Sequence, residues 1–212
     1  MSNDPHMWQM IHDERTRVAD MLESLSPDQW TADTLCQGWN VRIVAAHMMV
    51  AGEQSTGRFF KGLAASGFRF DVMTDRDARR ASQLSPSEII ARIRARTTTT
   101  NKPPAPAVAM LGEVVVHGID IRQPLGIPDN TSIDAKLACL DMLKGSNFPV
   151  QTKKAIVGLR FRTTDADWSF GSGPEVVGPT VDIMMALATR PLTASLSGDG
   201  VDTLRRRLQK EQ

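Results

Sequence analysis

Few cysteines, almost no net charge and no long apolar run mark this 212-residue sequence, and each shortage excludes something. The two cysteines, Cys36 and Cys139, are far apart and lack metal-ligand spacing. A disulfide framework is therefore not expected, and a reducing cytoplasm is the default compartment. Lysine and arginine number 25 against 24 acidic residues, a net charge of +1. A nucleic-acid partner would call for a basic excess or stripe. The one basic cluster, Arg205-Arg206-Arg207, suits the carbonyl end of a C-terminal helix. No apolar run approaches the roughly 20 residues that a membrane-spanning helix needs, and Met1 to His6 does not read as a signal peptide. The expectation is a cytoplasmic protein with neither a nucleic-acid nor a membrane partner; a homodimer is left open.

What is present is an ordinary globular composition, 41% apolar and 23% charged, long enough for a substantial core. Met7, Ile11, Val18, Leu22 and Leu25 form one helical stripe over 6–25. Asn40 is an N-cap for a long second helix over about 41–66. Ser85-Pro86-Ser87-Glu88 is a capping box that opens a third helix, which dissolves at Thr97 to Thr100. After the break at 101–106, a fourth helix over 107–122 ends before Pro124. These helices predict a four-helix bundle. The segment 66–84 is read as an interhelical stretch that helps shape a pocket.

Beyond about residue 130 the texture changes. A helix is predicted over Ile133 to Leu143, then a strand in 155–163. A hairpin follows, with 168–170 and 175–177 flanking Gly171 to Pro174, then a helix over 180–190, a short strand at 193–196 and a terminal helix. The fold class is thus α+β. An N-terminal helical bundle (1–128) precedes a small C-terminal α/β domain (129–212).

The chemistry concentrates in the predicted bundle. Glu113 and His117 are four residues apart on one helix, so they share a face. His47 lies with Val44, Met48 and Ala51 on a face of the second helix that should point inward. Two imidazoles and a carboxylate leave coordination positions open, as catalytic zinc sites do, and facing helices of a bundle can bring such groups together. The same residues are also explained by a hydrogen-bonded Glu–His pair and an ordinary core histidine. Cys36 reads as a small residue packed beside Trp39.

The stretches Leu35-Cys-Gln-Gly-Trp-Asn-Val-Arg-Ile-Val-Ala-Ala-His47 and Gly112-Glu-Val-Val-Val-His-Gly-Ile-Asp-Ile-Arg-Gln-Pro-Leu-Gly126 resemble the mycothiol-dependent maleylpyruvate isomerase family. That family lies within the DinB-like metal-dependent bundle proteins. Thr164 to Pro179 is similar to the family's C-terminal domain. The resemblance implies a DinB-like four-helix bundle with a small α/β domain behind it. It implies a divalent metal, zinc above nickel or iron(II), held by His47, Glu113 and His117. It implies mycothiol as thiol cosubstrate and a small electrophilic substrate, in an isomerase or an S-transferase. A metal-stabilised thiolate would be the attacking form. Arg122, Arg160 and Arg162 are candidates for anchoring carboxylates. The family pattern carries an acid where this chain has Ile119, while Asp120 is retained. Two other readings stay open: a metal-binding bundle without thiol chemistry, and a metal-dependent hydrolase.

Overall fold

Several helices begin where a side chain can satisfy their first N–H groups. Asp4 accepts from the backbone N–H of His6 and Met7 and opens α1 (Pro5–Ser24), with Pro5 in the first turn. Asn40 caps Ile43 N–H at the start of α2 (Val41–Gly52). In the computed structural model, which describes residues 4–147 and 152–209, the chain divides into two compact units, Met1–Thr131 and Ser132–Gln212.

In the first unit, α1 packs on α5 (Pro86–Arg94) and α6 (Ala107–Arg122), and α2 packs on the same two helices. These four make the bundle that the sequence predicts. Its core is filled by Ile11 and Leu22 from α1, Val44 and Met49 from α2, Ile89 from α5, and Leu111 and Ile119 from α6. The capping box at Ser85 and Glu88 forms in both directions.

The predicted helix over 41–66 is broken. α2 stops at Gly52, and Ser55 caps Arg58 N–H to start α3 (Thr56–Ala65), which buries none of its residues. The 66–84 stretch is not irregular. After Gly67 and Phe68, both at positive φ near +60°, it forms α4 (Phe70–Ala81). Seven of the twelve residues of α4 are Asp, Arg or Thr, so its buried stripe is reduced to Met73 and Ala78, too thin a pattern to show in sequence.

In the second unit, α7 (Ile133–Leu143) packs on α9 (Thr180–Leu187), and α10 (Val201–Leu208) on α8 (Thr152–Ile156). A three-stranded sheet has the order β2-β1-β3, with β1 Arg160–Thr163, β2 Ser169–Gly171 and β3 Glu175–Gly178. The predicted hairpin is therefore replaced: β2 and β3 flank β1, antiparallel and parallel respectively. Glycine makes the crossing possible. A Cβ on Gly171 would sit 2.2 Å from the Leu159 carbonyl oxygen, and one on Gly173 2.3 Å from that of Gly158. Only the second half of the strand expected over 155–163 is strand, because 152–156 is helical. The strand expected at 193–196 is absent from the sheet; a single bridge joins Val177 to Ser197.

Phe161, fully buried at the centre of β1, is the ring on which this small sheet packs. Phe161→Ala is expected to cost about 3–5 kcal/mol, because the cavity left behind adds to the lost transfer energy. A fall in the urea midpoint of the second unit's unfolding transition would measure it. No described helix is long and apolar enough to cross a membrane.

Candidate metal centre

Glu113, His117 and Asp120 follow one another at helical spacings of four and three, so they line one face of α6. That face meets α2 at His47. The His47 Nε2 and Glu113 Oε2 atoms are 2.8 Å apart, and His117 Nε2 lies 3.6 Å from the same oxygen. The two imidazole rings stand edge to face, 4.8 Å between centroids. One donor atom from each of His47, Glu113 and His117 lies within 4.8 Å of the others. At bond lengths near 2.1 Å, donors around one tetrahedral zinc lie roughly 3.4 Å apart. The Glu113–His117 distance already fits that spacing, and the shorter His47–Glu113 contact is the hydrogen bond an ion would replace. The side chains of His47 and His117 are 13% and 14% exposed, which leaves an approach open from one side. The residues present therefore fit a divalent metal.

Asp120 completes the arrangement in a way the sequence did not reveal. It is wholly buried, and its Oδ2 accepts from His117 Nδ1 at 2.9 Å. A carboxylate acceptor places the ring proton on Nδ1 and leaves the Nε2 lone pair facing Glu113. Cys36 donates its S–H to the same oxygen at 3.0 Å and lies 3.5 Å from His117 Nδ1. Cys36, His117 and Asp120 thus make a second cluster of ligand-type atoms sharing one histidine with the first. Their mutual hydrogen bonds are what hold the His117 ring, so Cys36 is more than a packing residue beside Trp39.

The loop carrying Cys36 is fixed by a vacancy in α6. Pro124 has no N–H to give to the Asp120 carbonyl, and Leu35 N–H takes it at 3.2 Å. Thr34 closes the loop by donating to the Trp39 carbonyl at 2.8 Å, and Gly38 turns at φ +75°. Trp39 then lies against His47, ring centroids 5.2 Å apart, while its Nε1–H donates to Asp75 of α4 at 2.9 Å. Arg79 holds Asp75 from the other side and donates to the Gly38 carbonyl. α4, which the sequence concealed, thereby braces the indole that walls the histidine.

The three arginines singled out in the sequence are placed differently. Arg122 lies on the opposite side of α6 from Glu113, buried beside Gly118 and Val18 on the side of α1. Burial lowers its pKa, and neither terminal nitrogen has a hydrogen-bond partner among the described residues. Arg160 and Arg162 point outward from β1 in the second unit, the former 3.5 Å from Glu175. The structure does not bring Arg122 to the three ligand-type residues.

A cleft open to solvent lies against His47 and Glu113. The break at Gly52 that separates α3 from α2 creates it, since Phe59 of α3 and Phe70 and Met73 of α4 form its outer wall.

Residues 11–106 match the family described as the mycothiol maleylpyruvate isomerase N-terminal domain. That stretch contains His47 and ends before the helix that carries Glu113 and His117. No curated protein sequence matches at a significant level. Among solved structures, the chain is similar to a mycothiol-dependent maleylpyruvate isomerase at TM-score 0.64, with 12% identity and 92% of each chain covered. It is similar to a histidine-to-alanine mutant of a mycothiol-dependent maleylpyruvate isomerase at TM-score 0.63, with the same identity and coverage. Residues 11–106 are thus similar to a mycothiol maleylpyruvate isomerase N-terminal domain, and the chain has the fold of the mycothiol-dependent maleylpyruvate isomerase.

Proposed function

We propose that His47, Glu113 and His117 hold a divalent metal, zinc by preference. On this reading the chain is an enzyme that uses a low-molecular-weight thiol, mycothiol, to attack an electrophilic carbon of a small molecule. It divides at about residue 128 into a metal-binding bundle and the smaller C-terminal domain of the same family. The observation that carries the proposal is the meeting of two imidazoles and one carboxylate beside an open cavity. Bound there, the metal would favour the thiolate form of a thiol reaching an open coordination position. The chain's own residues do the rest. Asp120 fixes the tautomer and tilt of His117, Trp39 restricts His47, and α3 and α4 wall the cavity with Phe59, Phe70 and Met73. The histidines come from α2 and α6 of one bundle, so the donor atoms are set by helix packing and not by loops.

The test is turnover by the zinc-loaded full chain, with an isomerisable enone and with an alkyl halide, each with and without mycothiol. The expected result is at least a hundredfold dependence on mycothiol, abolished by a chelator and restored by zinc. Ester hydrolysis that needs the metal but no thiol would overturn the thiol reading in favour of a hydrolase.

A further inference from the structure

The cavity beside the candidate metal centre has a distinct chemical character. Its apolar wall is formed by Phe59, Phe70, Met73, Pro103 and Met110. The uncharged polar groups facing it are Gln54 and Thr74, and besides His47 its ionisable lining consists of Glu113 and Asp77, both acids. Among the described residues, no lysine or arginine lines it. Two arginines of α4 are already paired. Arg76 donates to Asp77 and to Ser66 Oγ, at 2.8 and 2.9 Å. Arg79 is engaged by Asp75.

Arg15 and Arg96 border a narrower cavity on the far side of Glu113, with room for about one water molecule. Arg15 gives its Nη1 to the carbonyls of Arg96 and Thr99, and burial together with the neighbouring Arg96 charge pushes its pKa down to about 10. That narrower space does not admit a carboxylate-bearing side group.

A carboxylate entering the wider cavity would lose its water against aromatic and thioether surface. Asp77 is already neutralised by Arg76, and a metal on His47 and Glu113 could take one carboxylate at most, so a second would be buried without a partner among the described lining residues. An uncharged aromatic or alkyl group would instead displace water from apolar wall, worth roughly 25 cal/mol for each Å² buried. We infer that this site takes an electrophile with an uncharged, apolar body and discriminates against di- and tricarboxylates. The inference rests on the proposed function for its chemistry, though not for its binding preference. With 4-nitrobenzyl chloride as the electrophile, the thiol sulfur would form the new C–S bond. The C–Cl bond would break with its electron pair leaving as chloride, and the thiol proton would pass to solvent.

Calorimetric titration of the full chain with 4-nitrobenzyl alcohol, an inert neutral analogue, and with maleate, an inert dicarboxylate, tests the preference. The neutral ligand is expected to bind at least tenfold more tightly. Thr74→Arg, which brings a cation to the wall, should narrow or reverse that ratio; Gln54→Arg offers the same change from the other side should the first variant fold poorly. Maleate binding as tightly as the alcohol to the wild-type chain would overturn the inference, as would a ratio unchanged in a folded arginine variant. Running the titration with and without zinc separates the two claims. A retained preference in a protein without thiol-dependent turnover leaves the pocket assignment standing and removes the enzyme reading.

Discussion

His117→Ala is expected to lower zinc affinity on the order of a thousandfold, and Glu113→Gln by a comparable factor. Loss of an outer-shell partner alone typically costs about 10–100-fold in metal affinity, so loss of a direct donor should exceed that range. In the wild-type chain, Glu113 Oε2 is the hub, 2.8 Å from His47 Nε2 and 3.6 Å from His117 Nε2. The glutamine variant keeps the shape and removes the charge, which isolates the electrostatic share of binding. Competition against a chromophoric chelator measures both variants. The zinc-dependent rise in melting temperature should vanish with the affinity, because a ligand that binds the native state stabilises it by mass action. Affinity within threefold of wild type in both variants would remove these residues from the metal centre.

Asp120→Asn is expected to weaken zinc binding about 10–100-fold without touching a proposed ligand. The carboxylate accepts from both His117 Nδ1 and Cys36 Sγ and is wholly buried. An asparagine that turns its amide toward the ring presents a donor to a donor. The ring must then shift its proton to Nε2, the atom facing Glu113. Cys36→Ser is the matching control, since a hydroxyl still donates to Asp120 and the effect should stay within a few fold. Ring-nitrogen NMR shifts of His117 would show the tautomer change in the asparagine variant and none in the serine variant, a readout that general destabilisation would not mimic.

The bundle was legible because its four helices carry strong local signals. Asn40, Ser85 with Glu88, and Pro124 are boundary residues whose effect does not depend on distant contacts. The spacing of Glu113 and His117 likewise required only that the helix form. What escaped was set by tertiary structure. α4 hides behind a run of aspartates and arginines, and its function in bracing Trp39 through Asp75 depends on a contact across 36 residues. Asp120 could be marked as an acid near the site, yet its hold on both Cys36 and His117 exists only once the 34–39 loop is tied to the end of α6. The sheet order failed for a similar reason. Turn residues at Gly171 to Pro174 suit a hairpin locally, and only the close approach to the Gly158 and Leu159 carbonyls shows the chain crossing β1 instead.

Two clusters of ligand-type atoms share His117, and they differ in one element: the second contains the sulfur of Cys36. X-ray absorption at the zinc edge of the metal-loaded chain separates them directly. The account predicts two imidazole nitrogens and light oxygen donors with no sulfur in the thiol-free protein, and one sulfur at about 2.3 Å once mycothiol is added. Sulfur in the first shell before any thiol is present, or fewer than two imidazoles, would contradict it.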